Sequence, residues 1–200
     1  MSRPISITDD QIVAAAREVF SRHGAAATTR EIARAAGVSE GTLFNRFASK
    51  EALLQAAVRP PDQPAWVVSM EAMIGQGEMR ANLASLARAM VDFVRERMPL
   101  LTLLWSLKVP YPLAEPGQQS PPARDQQRLA AYFEAELRAG RLRSCDPRAV
   151  AQLLFGAVLG FTVGHRERVE PIDDAAVDAF VAGLVDTLWA AIGPAPSPPA

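Results

Sequence analysis

The sequence predicts an all-α protein with a small N-terminal helical domain followed by a larger helical domain. Apolar residues recur at helical spacing along most of the 200 residues, and no segment shows the alternation of a β-strand. Proline-rich segments at 60–64 and 110–122 interrupt the helical pattern. We place the two domains at 1–58 and 59–193 and expect residues 194–200, PAPSPPA, to form a disordered tail.

Capping residues predict where the first two helices begin. Thr8 and Gln11 have the spacing of a capping box, in which each side chain satisfies a backbone N–H of the first turn. The same spacing recurs at Thr28 and Glu31. The second helix is expected to end at Gly37, because glycine accepts the left-handed geometry of a helix C-terminus.

A short third helix is predicted after this turn, with one buried and one exposed face. Ser39 opens it, and Leu43 and Phe47, four residues apart, point into a core. At 100° per residue, the opposite face runs through Gly41 and Asn45. Two helices joined by a glycine turn form a helix-turn-helix, which places its second helix in the major groove of DNA.

The exposed face of the third helix is suited to DNA. Asn45 is the main candidate for base reading, since asparagine pairs bidentately with adenine, and Gly41 removes bulk at the closest approach. Arg46 and Glu40 lie at the margins, where arginine reaches guanine or phosphate and glutamate accepts from cytosine. Further side chains near helix N-termini are expected to hold phosphates, namely Thr28, Thr29, Ser39, Thr42 and Lys50.

The segment GVSEGTLFNRFASKEALL, residues 37–54, resembles the DNA-binding signature of the TetR family of bacterial transcriptional regulators. At motif level the resemblance covers Ile7 to Val58. In that family the position of Phe44 usually holds a tyrosine whose hydroxyl contacts phosphate, and the position of Arg46 often holds tyrosine or histidine. Phe44 keeps the ring but cannot donate a hydrogen bond, so Arg46 is the candidate to replace that phosphate contact.

Further helices are predicted on both sides of the first proline-rich segment. One begins at Ser49, and the family resemblance makes its movement the simplest link between the two domains. The others are expected at 65–74, 79–97, 100–107, 122–138, 147–166 and 173–192.

The last two predicted helices carry unusually broad apolar faces. The first of them also has three glycines at a spacing of four, each costing about 1 kcal/mol relative to alanine, which suggests that another backbone packs closely there. The partner is either the same chain or a second copy, and the resemblance implies a four-helix dimer interface. The candidate interface residues are Leu153, Gly156, Gly160, Phe161, Gly164, Phe180, Leu184 and Leu188.

Aromatic and methionine side chains in the larger domain suit either an adaptable apolar pocket or an ordinary core. The resemblance implies a ligand-binding and dimerisation domain, in which a small, largely apolar effector releases a homodimeric repressor from a palindromic operator in double-stranded DNA. The alternative is a DNA-binding dimer without a small-molecule effector, acting as an activator, a structural factor or a partner of another protein. The candidate pocket residues are Trp66, Met70, Met90, Phe93, Trp105, Tyr132 and Phe155.

Composition argues against several other classes of protein. The net charge is −1, so the whole chain does not resemble a nucleic-acid binder, although residues 1–59 are slightly basic. The single cysteine excludes an intramolecular disulfide, and the two histidines are far apart in sequence. No catalytic, metal-binding or cofactor-binding motif is recognisable, and the longest apolar stretch falls short of the ~20 residues of a membrane span. We therefore expect a cytoplasmic protein that is not an enzyme, has no cofactor and does not enter a membrane.

Overall fold

The computed structural model describes residues 7–112, 119–164 and 172–194. Within these ranges the secondary structure is helical and contains no strand, so the all-α prediction is confirmed. A 3-10 turn, Gly24–Ala26, follows the first helix. The α-helices are α1 (Asp9–His23), α2 (Thr29–Ala36), α3 (Glu40–Phe44), α4 (Lys50–Val58), α5 (Ala65–Ala72), α6 (Met79–Ser106), α7 (Pro121–Arg138), α8 (Pro147–Gly164) and α9 (Asp174–Ile192).

The helix boundaries predicted from local capping rules are confirmed. Thr8 and Thr28 form complete capping boxes at the starts of α1 and α2. The hydroxyls of Ser39 and Ser49 cap α3 and α4 by accepting from the backbone N–H three residues later. Gly37 ends α2 with φ 70° and ψ 28°, the left-handed conformation expected there.

The prediction of two separate helices at 79–97 and 100–107 is wrong, because α6 continues through Pro99. A proline inside a helix removes one backbone hydrogen bond at a cost of roughly 3 kcal/mol. Leu100, Leu103 and Leu104, in the turns after the proline, are buried, and burial of three leucines offsets that cost. The other predicted boundaries lie within two residues of the observed ones, but the predicted end of α8 and most of the C-terminal tail fall outside the described residues.

The chain divides into two compact units. The first comprises residues 1–60 and 97–113, so the C-terminal end of α6 groups with the N-terminal helices. Its core combines residues of α1 to α4 with this end of α6, including the buried side chains of Ile12, Phe20, Ile32, Leu43, Leu54 and Leu104.

The second unit comprises residues 61–96 and 114–200, and its core combines buried side chains of α5 to α9. Tyr132 and Phe133 of α7 are fully buried and meet edge to face, with ring centroids 5.3 Å apart. Glu136 is also fully buried, accepts a hydrogen bond from the Gly75 N–H at 2.9 Å and pairs with the guanidinium of Arg141 at 2.9 Å. This buried carboxylate fixes the turn between α5 and α6.

Helices α8 and α9 are long and apolar enough to span a membrane by length and composition, with mean hydropathies of 1.3 and 1.6. Each buries one side in the core of the second unit, through Val150 and Leu154 of α8 and through Val177 and Val185 of α9. In addition, α9 carries charged residues that pair with arginines of α6, including Asp178 with Arg88. Only 28% of the apolar stretch of each helix is buried, so each helix packs one side against the core of the second unit and leaves the rest of its surface outside it.

Candidate nucleic-acid interface

Helix α3 presents a clear division between a buried and an exposed face. Leu43 has no exposed surface, whereas the next residue, Phe44, is 47% exposed. Gly41 and Asn45 are also exposed, as their spacing predicted. Asn45 occupies the C-cap of α3, and its backbone N–H donates to the Gly41 carbonyl at 3.0 Å, so its side chain begins where the helix ends.

The hydroxyl groups at the starts of α2 and α3 serve mainly as helix caps. The Thr28 hydroxyl accepts from the Glu31 N–H at 3.2 Å and donates to the Glu31 carboxylate at 2.9 Å. The Ser39 hydroxyl accepts from the Thr42 N–H at 3.0 Å and lies 2.9 Å from the Thr42 hydroxyl. The backbone N–H and the hydroxyl of Thr28 hold the pKa of the Glu31 carboxyl below its usual range.

Glu40 faces α2. Its Oε1 accepts from the Thr29 hydroxyl at 2.9 Å, and its Oε2 lies 3.7 Å from Nε of Arg30. Glu40 and Thr29, which were predicted as separate DNA contacts, are thus hydrogen-bonded to each other.

Arg46 follows the C-cap of α3 and reaches back to the start of α1. Its Nη1 donates to the Ile7 carbonyl at 2.7 Å and to the Asp9 carboxylate at 2.8 Å. These partners lie 39 and 37 residues away along the chain, so no local sequence pattern reveals them.

Lys50 is the first residue of α4, and its ammonium group donates to the Ala25 carbonyl at 2.9 Å. The other end of α4 is held by two arginines that no sequence pattern had indicated. Arg17 donates to the Ala57 carbonyl at 3.0 Å and Arg97 to the Val58 carbonyl at 2.6 Å. Cations are favourable at helix C-termini, but the sequence alone does not show which distant arginine supplies the contact.

The candidate pocket residues do not all lie in one unit. Trp66, Met70, Met90 and Tyr132 are buried in the core of the second unit, and Phe93 and Phe155 pack half-buried against that core. Trp105 belongs to the first unit and is 37% exposed. Burial raises the pKa of the Tyr132 hydroxyl to about 12, so it remains protonated at neutral pH.

A buried acidic residue in the second unit was not anticipated. Asp125 lies on the inward side of α7 together with Leu129 and Tyr132, and it is almost completely buried. Burial raises the pKa of its carboxyl, while the neighbouring Arg124 and Arg128 oppose that shift. The helical spacing of Asp125 from Leu129 was the available signal, although acidic residues at such positions are usually exposed.

Most candidate interface residues lie on an open side of α8 and α9. Leu153 is 63% exposed, and, apart from neighbouring residues and the nearby backbone of α8 itself, no atom of the described residues comes within 4 Å of a Cβ placed on Gly156, Gly160 or Gly164. Phe161 and Phe180 stack with ring centroids 4.0 Å apart. Leu184 is half-buried, whereas Leu188 lies in the core of its own unit.

Two family models match separate parts of this chain. Residues 12–57 match the model of bacterial regulatory proteins of the tetR family. Residues 112–194 match the model of the C-terminal domain of AefR-like transcriptional repressors. Among curated proteins, the HTH-type transcriptional regulator UidR of Escherichia coli (strain K12) is 44% identical over 52 residues. That alignment covers 26% of this chain and 26% of the relative, so it concerns the N-terminal helices alone.

Solved structures extend the similarity to nearly the whole chain. A protein of Mesorhizobium loti MAFF303099 assigned to the TetR family of transcriptional regulators has a TM-score of 0.71 at 20% identity, covering 93% of this chain and 96% of its own. A structure from a study of antibiotic production controlled by bacterial hormones has a TM-score of 0.70 at 24% identity, covering 96% and 100%. The TetR transcriptional regulator SCO0520 of Streptomyces coelicolor has a TM-score of 0.57 at 26% identity, covering 90% and 98%.

Proposed function

This chain belongs to the TetR family of bacterial regulatory proteins, and from that premise we propose that it is a cytoplasmic, dimeric, DNA-binding transcriptional regulator that acts as a repressor. The observation that carries the proposal is the arrangement of α2, the Gly37 turn and α3. This arrangement buries Leu43 and leaves Gly41, Phe44 and Asn45 on the surface. A short, exposed helix after a glycine turn has the geometry for entering the major groove of DNA.

Asn45 is proposed to read a base, because its amide can donate to N7 of adenine and accept from N6. Gly41, one turn earlier, leaves room for the duplex. Phe44 is proposed to pack its ring against the sugar–phosphate backbone, since nearly half of its surface is open. Phosphates are proposed to contact the starts of α2, α3 and α4 through Thr28, Thr29, Ser39, Thr42 and Lys50.

The proposed homodimer uses the open side of α8 and α9. The exposed surface of Leu153, the three uncovered glycines and the stacked pair of Phe161 and Phe180 support this assignment. Small residues let two helices approach closely, so a second copy would bury this apolar surface. We leave Leu188 out of the interface because it is buried in its own chain. A twofold dimer would present two copies of α3 to a palindromic operator.

An effector would act by preferring a conformation that does not fit the operator. A coupling free energy of about 1 to 3 kcal/mol changes DNA affinity several-fold or more, whereas equal affinity for both conformations changes nothing. We propose α4 as the element that moves, because it is bonded to several other elements: Lys50 at its start contacts the 3-10 turn, and the carbonyls at its end accept from Arg17 of α1 and Arg97 of α6.

A DNA-binding dimer without a small-molecule effector is the second candidate. The observation that favours it is the burial of Trp66, Met70, Met90 and Tyr132 in one packed core. A ligand that reached these side chains would have to displace some of them from their present contacts. Under this alternative the second unit serves dimerisation or contact with another protein, and the DNA-binding role of α3 is unchanged.

The test is recovery of fragmented genomic DNA from the source organism by the purified protein, followed by sequencing. Asn45→Ala protein provides the matched control. We expect enrichment of a small set of fragments upstream of genes, with that enrichment lost in the control. Uniform recovery of all fragments by the natural protein would contradict a sequence-specific regulator.

A further inference from the structure

We propose that Glu40 and Arg46 are positioning residues that fix the orientation of α3, instead of contacting DNA as their place on the helix suggests. The inference rests on the proposed DNA-binding function. The two residues lie at opposite ends of α3, where Glu40 is bonded to α2 and Arg46 is bonded to the chain around the start of α1.

Glu40, the first residue of α3, is directed toward α2 by both of its carboxylate oxygens. One accepts from the Thr29 hydroxyl at 2.9 Å, and the other lies 3.7 Å from the Arg30 guanidinium. A carboxylate near phosphates is repelled by them, and pairing with arginine reduces this repulsion. To accept from a cytosine amino group, Glu40 would have to give up the Thr29 bond.

Arg46 connects the opposite end of α3 to the start of α1. A single nitrogen, Nη1, donates to both the Ile7 carbonyl and the Asp9 carboxylate, at 2.7 and 2.8 Å. The Asp9 charge compensates the guanidinium, so Arg46 in this arrangement attracts phosphate less than an unpaired arginine does. Its planar geometry also fixes the direction of the bonds more narrowly than a lysine would.

Helix α3 needs such external contacts because it has only five residues, Glu40–Phe44, with Leu43 as its buried member. A helix this short is not stable through its own hydrogen bonds, and one buried side chain leaves rotation about that anchor possible. Asn45 stands directly before Arg46, so the direction of the proposed base-reading amide depends on the contact to α1.

At the Glu40 end, the test compares Glu40→Gln with Glu40→Ala on an operator duplex and on a scrambled duplex. The glutamine oxygen can still accept from Thr29, so we expect Glu40→Gln to keep the operator affinity and the preferred sequence. Glu40→Ala is expected to lower operator affinity about two- to fivefold, with little change on the scrambled duplex. A changed base preference in Glu40→Gln protein would overturn the positioning role, because it would show that residue 40 touches a base.

At the Arg46 end, Asp9→Ala separates the two roles, because it removes both the charge and the acceptor. If Arg46 positions α3, both Asp9→Ala and Arg46→Gln lower operator affinity about two- to fivefold, and the double variant is no worse than either one. If Arg46 instead binds phosphate, Asp9→Ala tightens binding and Arg46→Gln lowers the slope of log affinity against log salt by about one. The second pattern would overturn the proposal.

Arg46→Lys provides an independent variant at the same position. This variant keeps the charge but loses the planar geometry of the guanidinium. A positioning role therefore predicts reduced operator affinity with an unchanged salt slope. A melting temperature like that of the natural protein would show that the fold is intact. Full operator affinity in Arg46→Lys protein would overturn that role.

Failure of the proposed function and failure of this inference give different results. If the natural protein prefers no duplex, both fail. If it binds a specific duplex and Arg46 contacts the DNA directly, only the inference fails.

Discussion

Leu43 and Phe44 are neighbours in α3 but have opposite environments, since Leu43 is completely buried and Phe44 is 47% exposed. This pair fixes which side of the helix belongs to the core of the first unit. The exposed side then contains Gly41 and Asn45. The proposed reading of DNA depends on this orientation, because a rotation of α3 by a half-turn would bury the amide of Asn45.

Replacing Asn45 with alanine is expected to weaken operator binding by about 1 to 3 kcal/mol, because the bidentate contact to a base is lost. Binding to a scrambled duplex should be nearly unchanged. Fluorescence anisotropy with both duplexes measures the difference. Gln127→Ala, which truncates an exposed amide on α7 in the second unit, is the matched control. An unchanged sequence preference in Asn45→Ala protein would remove Asn45 from the reading face.

Lys50→Ala is expected to lower affinity for every duplex and to flatten the salt dependence by about one phosphate contact. Its ammonium group now bonds the Ala25 carbonyl at 2.9 Å, and it stands at the start of α4, close to where a phosphate is proposed. Titrations at several salt concentrations test this expectation. Lys108→Ala, an exposed lysine of the same unit, should leave the slope unchanged. A loss confined to one sequence would argue against the phosphate role.

Gly160→Leu should convert the proposed dimer into monomers, because a leucine on the open ridge of α8 prevents a second copy from approaching. Light scattering of the purified protein measures the mass directly. Ala131→Leu, which also places a leucine at an exposed helical position but on α7, should remain dimeric. A stable dimer of the Gly160 variant would exclude this ridge from the interface.

Glu136→Ala is expected to reduce the free energy of unfolding by roughly 3 kcal/mol or more, because Arg141 and the Gly75 N–H lose their buried partner. Urea denaturation followed by circular dichroism measures this change. Glu134→Ala removes an exposed carboxylate two residues earlier and should have little effect. Equal stability of the two variants would mean that the Glu136 network contributes no net stabilisation.

Acid should destabilise the first unit partly through Glu31. Hydrogen bonds from Thr28 lower the pKa of Glu31 below the unfolded value of 4.5, so this contribution is complete above pH 4.5 and is lost as the pH falls through the folded pKa. The melting temperature measured from pH 6 to pH 3 should therefore fall less steeply in Glu31→Gln protein. Identical pH profiles would show that the folded and unfolded pKa values of Glu31 do not differ.

The sequence predicted those features that depend on neighbouring residues. The caps at Thr8 and Thr28 and the turn at Gly37 follow from backbone geometry within a few positions, so their prediction needed no tertiary information. The exposed face of α3 followed from the spacing of Leu43 and Phe47 for the same reason.

Long-range contacts explain what the sequence did not predict. Because proline usually breaks helices, a helix end was predicted before Pro99. In the structure α6 continues through Pro99, and burial of the leucines that follow offsets the cost. Trp105 was assigned to the larger domain by its position in the chain, whereas the end of α6 groups with the first unit. The contacts of Glu40 with Thr29 and of Arg46 with Asp9 join residues that lie 11 and 37 positions apart, so no local pattern predicted them.

Selection of duplexes from a random library by the purified natural protein, at near-physiological salt, tests the central claim most directly. A dimer that places two copies of α3 in successive major grooves predicts an enriched palindrome with half-sites about one helical turn apart. It also predicts that Asn45→Ala protein fails to enrich that palindrome. Recovery of no preferred sequence by a folded, dimeric protein would contradict the account, because it would show that α3 alone does not specify an operator.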